Sequence, residues 1–174
     1  KQKDNFATAC ALQAGDRFLD CTLGFGSDSA IASYLVGPQG KVVGLEGSKP
    51  LWFLVRDGLA HYQCENPLLT EAMERIEAVN EKAEVYLKSL AADSFDVVYF
   101  DPMFKHPIQA SSNMVPLRPV AYYKPLDRAM LLEALRVAPK VIVKEHTEKV
   151  LLDLGIREIM GGKYSHVKYG VLRR

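Results

Sequence analysis

Apolar residues along this chain fall into short, nearly unbroken runs separated by stretches in which they recur at helical spacing. That alternation predicts strands and helices taking turns. The strand candidates are Arg17 to Cys21, Lys41 to Glu46, Phe95 to Asp101 and Val141 to Lys144, with a weaker run at Ile76 to Asn80. Phe95-Asp96-Val97-Val98-Tyr99-Phe100-Asp101 has little polar alternation, which predicts a strand buried on both faces. Helices are expected at Asp4 to Leu12, Ser27 to Val36, Lys49 to Tyr62, Leu69 to Arg75, Ala83 to Leu90, Leu126 to Ala138 and Glu148 to Leu154. Gly37-Pro38, Asn66-Pro67, Pro139 and Gly155 supply stop signals. Within Lys49 to Tyr62, Leu51, Trp52, Val55 and Leu59 share one face and are expected in the core. Ile156 to Met160 and Tyr164 to Leu172, around Gly161-Gly162, read as a hairpin. The expected fold is α/β: a doubly wound, mostly parallel seven-stranded sheet with helices on both faces and an antiparallel C-terminal hairpin, in the Rossmann-like manner.

Composition narrows the function classes. A chain of 174 residues, 48% hydrophobic, suits a single domain over 1–174 with one sizeable core region. The net charge of +1 gives no general field for polyanions, so any nucleic-acid contact has to be local. Cys10, Cys21 and Cys64 are far apart and odd in number, forming neither a metal spacing nor a disulfide framework. They suit a reducing, cytoplasmic setting. No apolar run approaches a membrane span, and the four histidines show no ligand spacing, so neither a membrane nor a metal is expected. One long segment, Lys105 to Lys124, breaks the regular alternation and carries Pro107, Pro116 and Pro119. A stretch of this length in a compact domain is usually functional.

The chemistry begins at Asp20-Cys21-Thr22-Leu23-Gly24-Phe25-Gly26-Ser27-Asp28, between the first strand and the helix after it. Gly24 and Gly26 can take positive φ and admit a ligand close to the backbone. The helix start presents unpaired N–H groups and the positive end of its dipole to the same space, which the Asp20 carboxylate is expected to face. Glu46 ends the second strand, where an acid can accept hydrogen bonds from two ribose hydroxyls. Taken alone it is equally a solvated acid opening a loop; with the glycine turn before it, the ligand reading is preferred. A dinucleotide fingerprint would place a third glycine at position 29, where this chain has Ser29.

Directly after the fourth strand comes Asp101-Pro102-Met103-Phe104. Here the chain resembles class I S-adenosylmethionine-dependent methyltransferases with an Asp/Asn-Pro-x-aromatic motif, which methylate exocyclic amines of bases. Such an amine is a weak nucleophile because its lone pair is delocalised into the ring. The resemblance implies that the Asp101 side chain and the Pro102 carbonyl hold its hydrogens and that Phe104 fixes the base plane, aligning the nitrogen for in-line transfer. The alternative is a strand end followed by a proline turn, with Met103 and Phe104 in the core.

Asp20 to Asp28, Leu45-Glu46, Gly58-Leu59-Ala60, Val98 to Phe104 and Val141-Ile142-Val143-Lys144 are together similar to the RsmJ-type family, which methylates guanine N2 of small-subunit ribosomal RNA. The similarity covers roughly Asp16 to Lys144. It implies S-adenosylmethionine as cofactor and rRNA as substrate. It also implies cofactor contacts at Ser27 and Asp28, at Glu46 and Gly47, at Lys82 and Ala83 near the adenine, and at Asp101 beside the methyl. Lys105, His106 and Lys124 are the candidate substrate contacts, although His106 also reads as an exposed loop histidine. Tyr122 and Tyr123 could stack on a base or cover the core. The family carries a region upstream of the part seen here, and has Lys-Arg-Pro where this chain has Lys144-Glu145-His146. Two other activities fit the same residues: methylation of a small molecule or protein side chain, and a non-catalytic nucleotide-binding module.

Overall fold

The computed structural model describes residues 5–102, 124–162 and 165–174. The strands are β1 (Arg17–Asp20), β2 (Lys41–Leu45), β3 (Glu77–Val79), β4 (Val97–Phe100), β5 (Lys140–Glu145), β6 (Glu158–Met160) and β7 (Lys168–Arg173). The helices are α1 (Asn5–Cys10), α2 (Ser27–Val36), α3 (Lys49–His61), α4 (Pro67–Glu74), α5 (Ala83–Ser89), α6 (Arg128–Val137) and α7 (Glu148–Asp153). The strands form one sheet in the order β3-β2-β1-β4-β5-β7-β6. β1 to β5 pair in parallel, and β7 lies antiparallel between β5 and β6. This is the doubly wound sheet with an antiparallel C-terminal pair that the alternation predicts.

The pleat sends alternate residues of each strand to opposite faces, and each face has its own core. Phe18, Val42, Val97, Tyr99 and Ile142 pack with residues of α1, α2 and α3. Leu19, Val43, Val98, Phe100 and Val141 pack with α5, α6 and α7. All four residues of β4 are buried, as their unbroken apolar character requires. β1 sits between β2 and β4, so the chain order reverses there and a crevice opens at the carboxyl ends of β1 and β4. Glycine turn, strand-two acid and strand-four motif all lie at that edge.

Two local expectations differ. α1 stops at Cys10 and not at Leu12, because Ala11 turns to φ 46°, the left-handed region, which an L-residue cannot propagate as a helix. Trp52 is half-buried and not a core residue: its Nε1–H donates to the Ala78 carbonyl at 2.9 Å, and the Arg56 guanidinium lies 4.5 Å from its ring centre. An indole N–H needs a partner when covered, and β3's backbone offers one at the sheet edge.

Candidate methyl-donor site

Gly24 and Gly26 adopt φ 51° and 77°, the left-handed backbone expected of the turn. Gly26 caps α2 with no side-chain hydrogen bond, leaving the first-turn N–H groups of α2 at the crevice. A Cβ on Gly26 would come within 3.2 Å of Leu59 on α3, so the position is tight on its inner side as well as strained. Leu23 anchors the turn from below. Its N–H donates to the Leu45 carbonyl, and its side chain fills the space left by Gly44, where a Cβ would lie 2.4 Å from Leu23 Cδ1. The turn is thus seated on β2 through a glycine in that strand.

Asp20 does not face the crevice, as the sequence suggests it should. It is 1% exposed, and its carboxylate turns back into the loop. Thr22 N–H and Thr22 Oγ1 donate to Oδ1 at 2.9 and 3.2 Å, and Ser29 Oγ donates to Oδ2 at 2.7 Å. Asp20 therefore holds the turn to α2. The hydroxyl at position 29, read above as a missing glycine, is the group that meets it. Burial pushes the Asp20 carboxyl up to about 7, only partly countered by those hydrogen bonds.

Glu46 is 7% exposed at the end of β2. Its Oε1 accepts from Ser48 N–H at 2.8 Å, and the Gly24 N–H also bonds its carboxylate. Burial raises its pKa above the ordinary carboxylate range, with both N–H groups opposing. Asn80, just past β3, donates its Nδ2–H to the Glu46 carbonyl at 2.8 Å. Gly47 adjoins Glu46, and Lys82 and Ala83 form the start of α5, with Lys82 at its N-cap.

At the other side of the crevice, Thr22 Oγ1 accepts from Asp101 N–H at 2.6 Å, tying the strand-four motif to the glycine turn. Lys144, at the end of β5, donates to Asp28 Oδ2 and to Asp101 Oδ2, each at 2.8 Å. Tyr99 donates its hydroxyl to the same Asp28 oxygen at 2.6 Å, while its ring packs edge-on against Phe6 in the core. Burial opposes the Lys144 charge, but Asp101 and Asp28 outweigh it and move its pKa well above that of an ordinary lysine. Burial raises Asp101, and the Lys144 ammonium holds it down. The Tyr99 phenol is driven far up, by burial first and then by Asp101 and Asp28, so it stays a donor.

The structure thus brings Gly24, Gly26, Ser27, Asp28, Glu46 and Asp101 to one crevice. Pro102 follows Asp101 there, and Phe104, Lys105 and His106 lie outside the described residues. Lys124 is described, and its Nζ lies 3.3 Å from Glu84 of α5, so its charge is shared with that acid. Thr22, Tyr99, Asn80 and Lys144 are the residues that motif reading passed over. Two of them carried a faint signal: Tyr99 is the polar residue within a buried strand, and Lys144 the cation that ends one. No group of three or more metal-ligating side chains occurs among the described residues. No helix among them is long and apolar enough to cross a membrane.

Residues 1–155 match the family model described as "Putative SAM-dependent methyltransferase". The chain is 40% identical over 173 residues to the uncharacterized protein YpiP of Bacillus subtilis (strain 168), covering 99% of this chain and 67% of that protein. It is 33% identical over 169 residues to ribosomal RNA small subunit methyltransferase J of Acinetobacter baumannii (strain SDF), covering 87% of this chain and 58% of that one. It therefore spans about three-fifths to two-thirds of the length of these relatives. Among solved structures, a "putative rRNA-methylase" from Clostridium thermocellum superposes with a TM-score of 0.64 at 15% identity, over 99% of this chain and 98% of that one, which shows a shared fold.

Proposed function

Because the chain belongs to the S-adenosylmethionine-dependent methyltransferase family, we propose that it methylates an exocyclic amine of an RNA base, guanine N2 of small-subunit rRNA being the target that the resemblance implies. The observation that carries this reading is the hydrogen bond from Asp101 N–H to Thr22 Oγ1. It fixes an acceptor carboxylate at the lip of the glycine turn, so the groups that would hold an amine and those that would hold the methyl donor share one crevice.

The residues fit the cofactor. An open glycine turn and an uncapped helix start give backbone room and N–H donors, Glu46 gives an acceptor for ribose hydroxyls, and the surplus of carboxylates at Asp28 and Asp101 suits a positive sulfur. S-adenosylmethionine supplies an electrophilic methyl on a sulfonium sulfur that keeps the electron pair of the broken C–S bond. The chain's task is then to hold the amine. Asp101, paired with Lys144, stays an acceptor of N–H hydrogen bonds, and the nitrogen gives up its surplus proton to water once it carries the methyl. Asp20 acts through the turn and is a positioning residue; Ser27, Asp28, Glu46 and Gly47 line the donor side, with Lys82 and Ala83 toward the adenine. The same reading takes residues 1–174 as one methyltransferase domain working in the cytoplasm.

Methyl transfer from labelled S-adenosylmethionine to total RNA, followed by nucleoside analysis, tests the reading directly. N2-methylguanosine is the expected product, and label found only in small molecules or protein would displace it. On the donor side, Glu46→Ala is expected to weaken S-adenosylmethionine binding by about 1–3 kcal/mol, the scale for hydrogen bonds to a charged group. Calorimetry showing unchanged affinity would move the ribose elsewhere. On the acceptor side, Lys105→Ala with Lys124→Ala should weaken RNA binding and leave cofactor binding alone. Each lost phosphate contact flattens the log–log salt dependence by about 0.7–0.9 unit. Since Glu84 already shares the Lys124 charge, the combined change should be nearer one contact than two. Titrations at several salt concentrations check this, and an unchanged slope takes the RNA path off these lysines.

A further inference from the structure

One lysine holds two carboxylates of the crevice together, and neither the motifs nor the family match assigns it a role. Asp28 comes from the first turn of α2 and Asp101 from the end of β4, and Lys144 reaches both from β5 at 2.8 Å. All three side chains are largely covered, at 20–28% exposure, so water screens them weakly. Their charges sum to one net negative. We propose that Lys144 is the charge-setting residue of the donor pocket: by bridging Asp28 and Asp101 it leaves one uncompensated negative charge, matched to a sulfonium donor and left unmatched by the neutral thioether product. Lys144 is then a specificity and positioning residue for the donor, separate from the groups that touch the acceptor amine. The inference rests on the donor pocket lying at this crevice.

The consequence of removing it follows from what else faces the pair. Asp20 from β1, Tyr99 from β4 and His146 beyond β5 act electrostatically on Asp101, and Tyr99 also bonds Asp28. His146 is itself placed by its ring Nδ1 against the His166 carbonyl at 2.7 Å. Of these, Lys144 supplies the cation bonded to both carboxylates. Without it Asp28 and Asp101 face each other as like charges; burial and the Asp28 charge then favour a proton on Asp101 with no ammonium to oppose them, and that proton is released as pH rises. The pocket would then carry one negative charge at low pH and two at high pH, drawing the sulfonium more strongly and leaving the thioether nearly indifferent.

The test is calorimetric titration of S-adenosylmethionine and S-adenosylhomocysteine into wild type, Lys144→Met and Lys144→Arg from about pH 6 to 9, alongside thermal unfolding. The wild-type ratio of the two affinities at each pH sets the baseline, including the ligands' own amines and Asp20. In Lys144→Met the preference for S-adenosylmethionine should climb above that baseline as pH rises, by at most about tenfold per pH unit. Its unfolding temperature should fall over the same range. Lys144→Arg, which keeps a bridging cation, should follow wild type. Lys144→Met with Asp28→Asn removes the pair and should bring the pH dependence back to baseline. A Lys144→Met chain that unfolds while the double variant folds supports the proposal; both unfolding would mean a structural lysine and overturn it. So would a Lys144→Met ratio that tracks wild type at every pH, or a Lys144→Arg that behaves like Lys144→Met. If Glu46→Ala leaves donor binding untouched in wild type, the pocket is elsewhere and both readings fall. If Glu46→Ala weakens it and Lys144→Met stays at baseline, only the charge assignment falls.

Discussion

Asp20→Ala is expected to destabilise the protein by about 3–5 kcal/mol and to abolish donor binding, whereas Asp20→Asn should fold and gain stability relative to wild type as pH rises. The alanine change strands Thr22 N–H, Thr22 Oγ1 and Ser29 Oγ in a buried loop. Each unsatisfied group costs about 1–3 kcal/mol. Thr22 also accepts from Asp101 N–H, so the loss spreads from the glycine turn to the strand-four motif. Asparagine keeps an acceptor toward Thr22, and the Ser29 hydroxyl can rotate to accept from the new amide. The pH dependence has a definite sign. Burial raises the Asp20 carboxyl from 3.8 to about 7 in the folded state. A raised acid binds its proton more tightly when folded. Its contribution is therefore largest below the ordinary carboxylate value and is lost as pH rises toward 7, at up to about 1.4 kcal/mol per pH unit. Asparagine has no such proton, so the stability gap between Asn and wild type should move in favour of Asn across that window and level off above it. Urea unfolding of the two proteins at about pH 5 and pH 8 reads this. A gap that does not change with pH would mean that Asp20 is not the buried titrating acid of the loop.

The strands were legible because burial on both faces demands apolar runs, and Phe18-Leu19, Val42-Val43 and Val97 to Phe100 meet that demand with residues that have no other use. The glycine turn was legible for a similar reason, since the left-handed backbone at Gly24 and Gly26 excludes most other residues. What the sequence did not show is where polar side chains point. Asp20 and Asp101 both end inner strands with a carboxylate, yet Asp20 closes on its own loop, while Asp101 reaches Lys144 across the crevice. The difference lies in Thr22 and Ser29, which sit at the right places to absorb the Asp20 oxygens, and no periodicity reports that. Ser29 carries the same lesson: in the sequence it stands out only as "not glycine", whereas in the fold its hydroxyl meets Asp20. Trp52 was misplaced because helical spacing gives the face of a residue and not its depth. At the rim of α3 the indole needs a hydrogen-bond partner, and β3 supplies one at its own exposed edge.

Among substitutions that keep the donor site folded, the one expected to cost most in turnover is Asp101→Ala. Under the proposed function Asp101 accepts hydrogen bonds from the amine as it gains charge, in a covered site where such a contact is worth more than in water. Losing one preorganised polar group of this kind lowers kcat by about 10²–10³-fold. Donor affinity should fall too, because Lys144 then cancels Asp28 and the crevice loses its net negative charge, but by less than kcat, since Glu46 and the glycine turn remain. Asp101→Asn separates the two duties of the residue. Its carbonyl oxygen can still accept from the amine, and asparagine stands at this place in the related motif, so turnover should be partly retained. However, the amide answers the Lys144 charge no better than alanine does, so donor affinity should fall about equally in the two variants while turnover separates them. Single-turnover methyl transfer to RNA, measured beside calorimetric donor affinity for both variants, tests this. Wild-type turnover in Asp101→Ala would remove Asp101 from the acceptor site. Equal losses of turnover in Asp101→Ala and Asp101→Asn would make the ion pair with Lys144, and not the contact with the amine, the reason that an aspartate stands there.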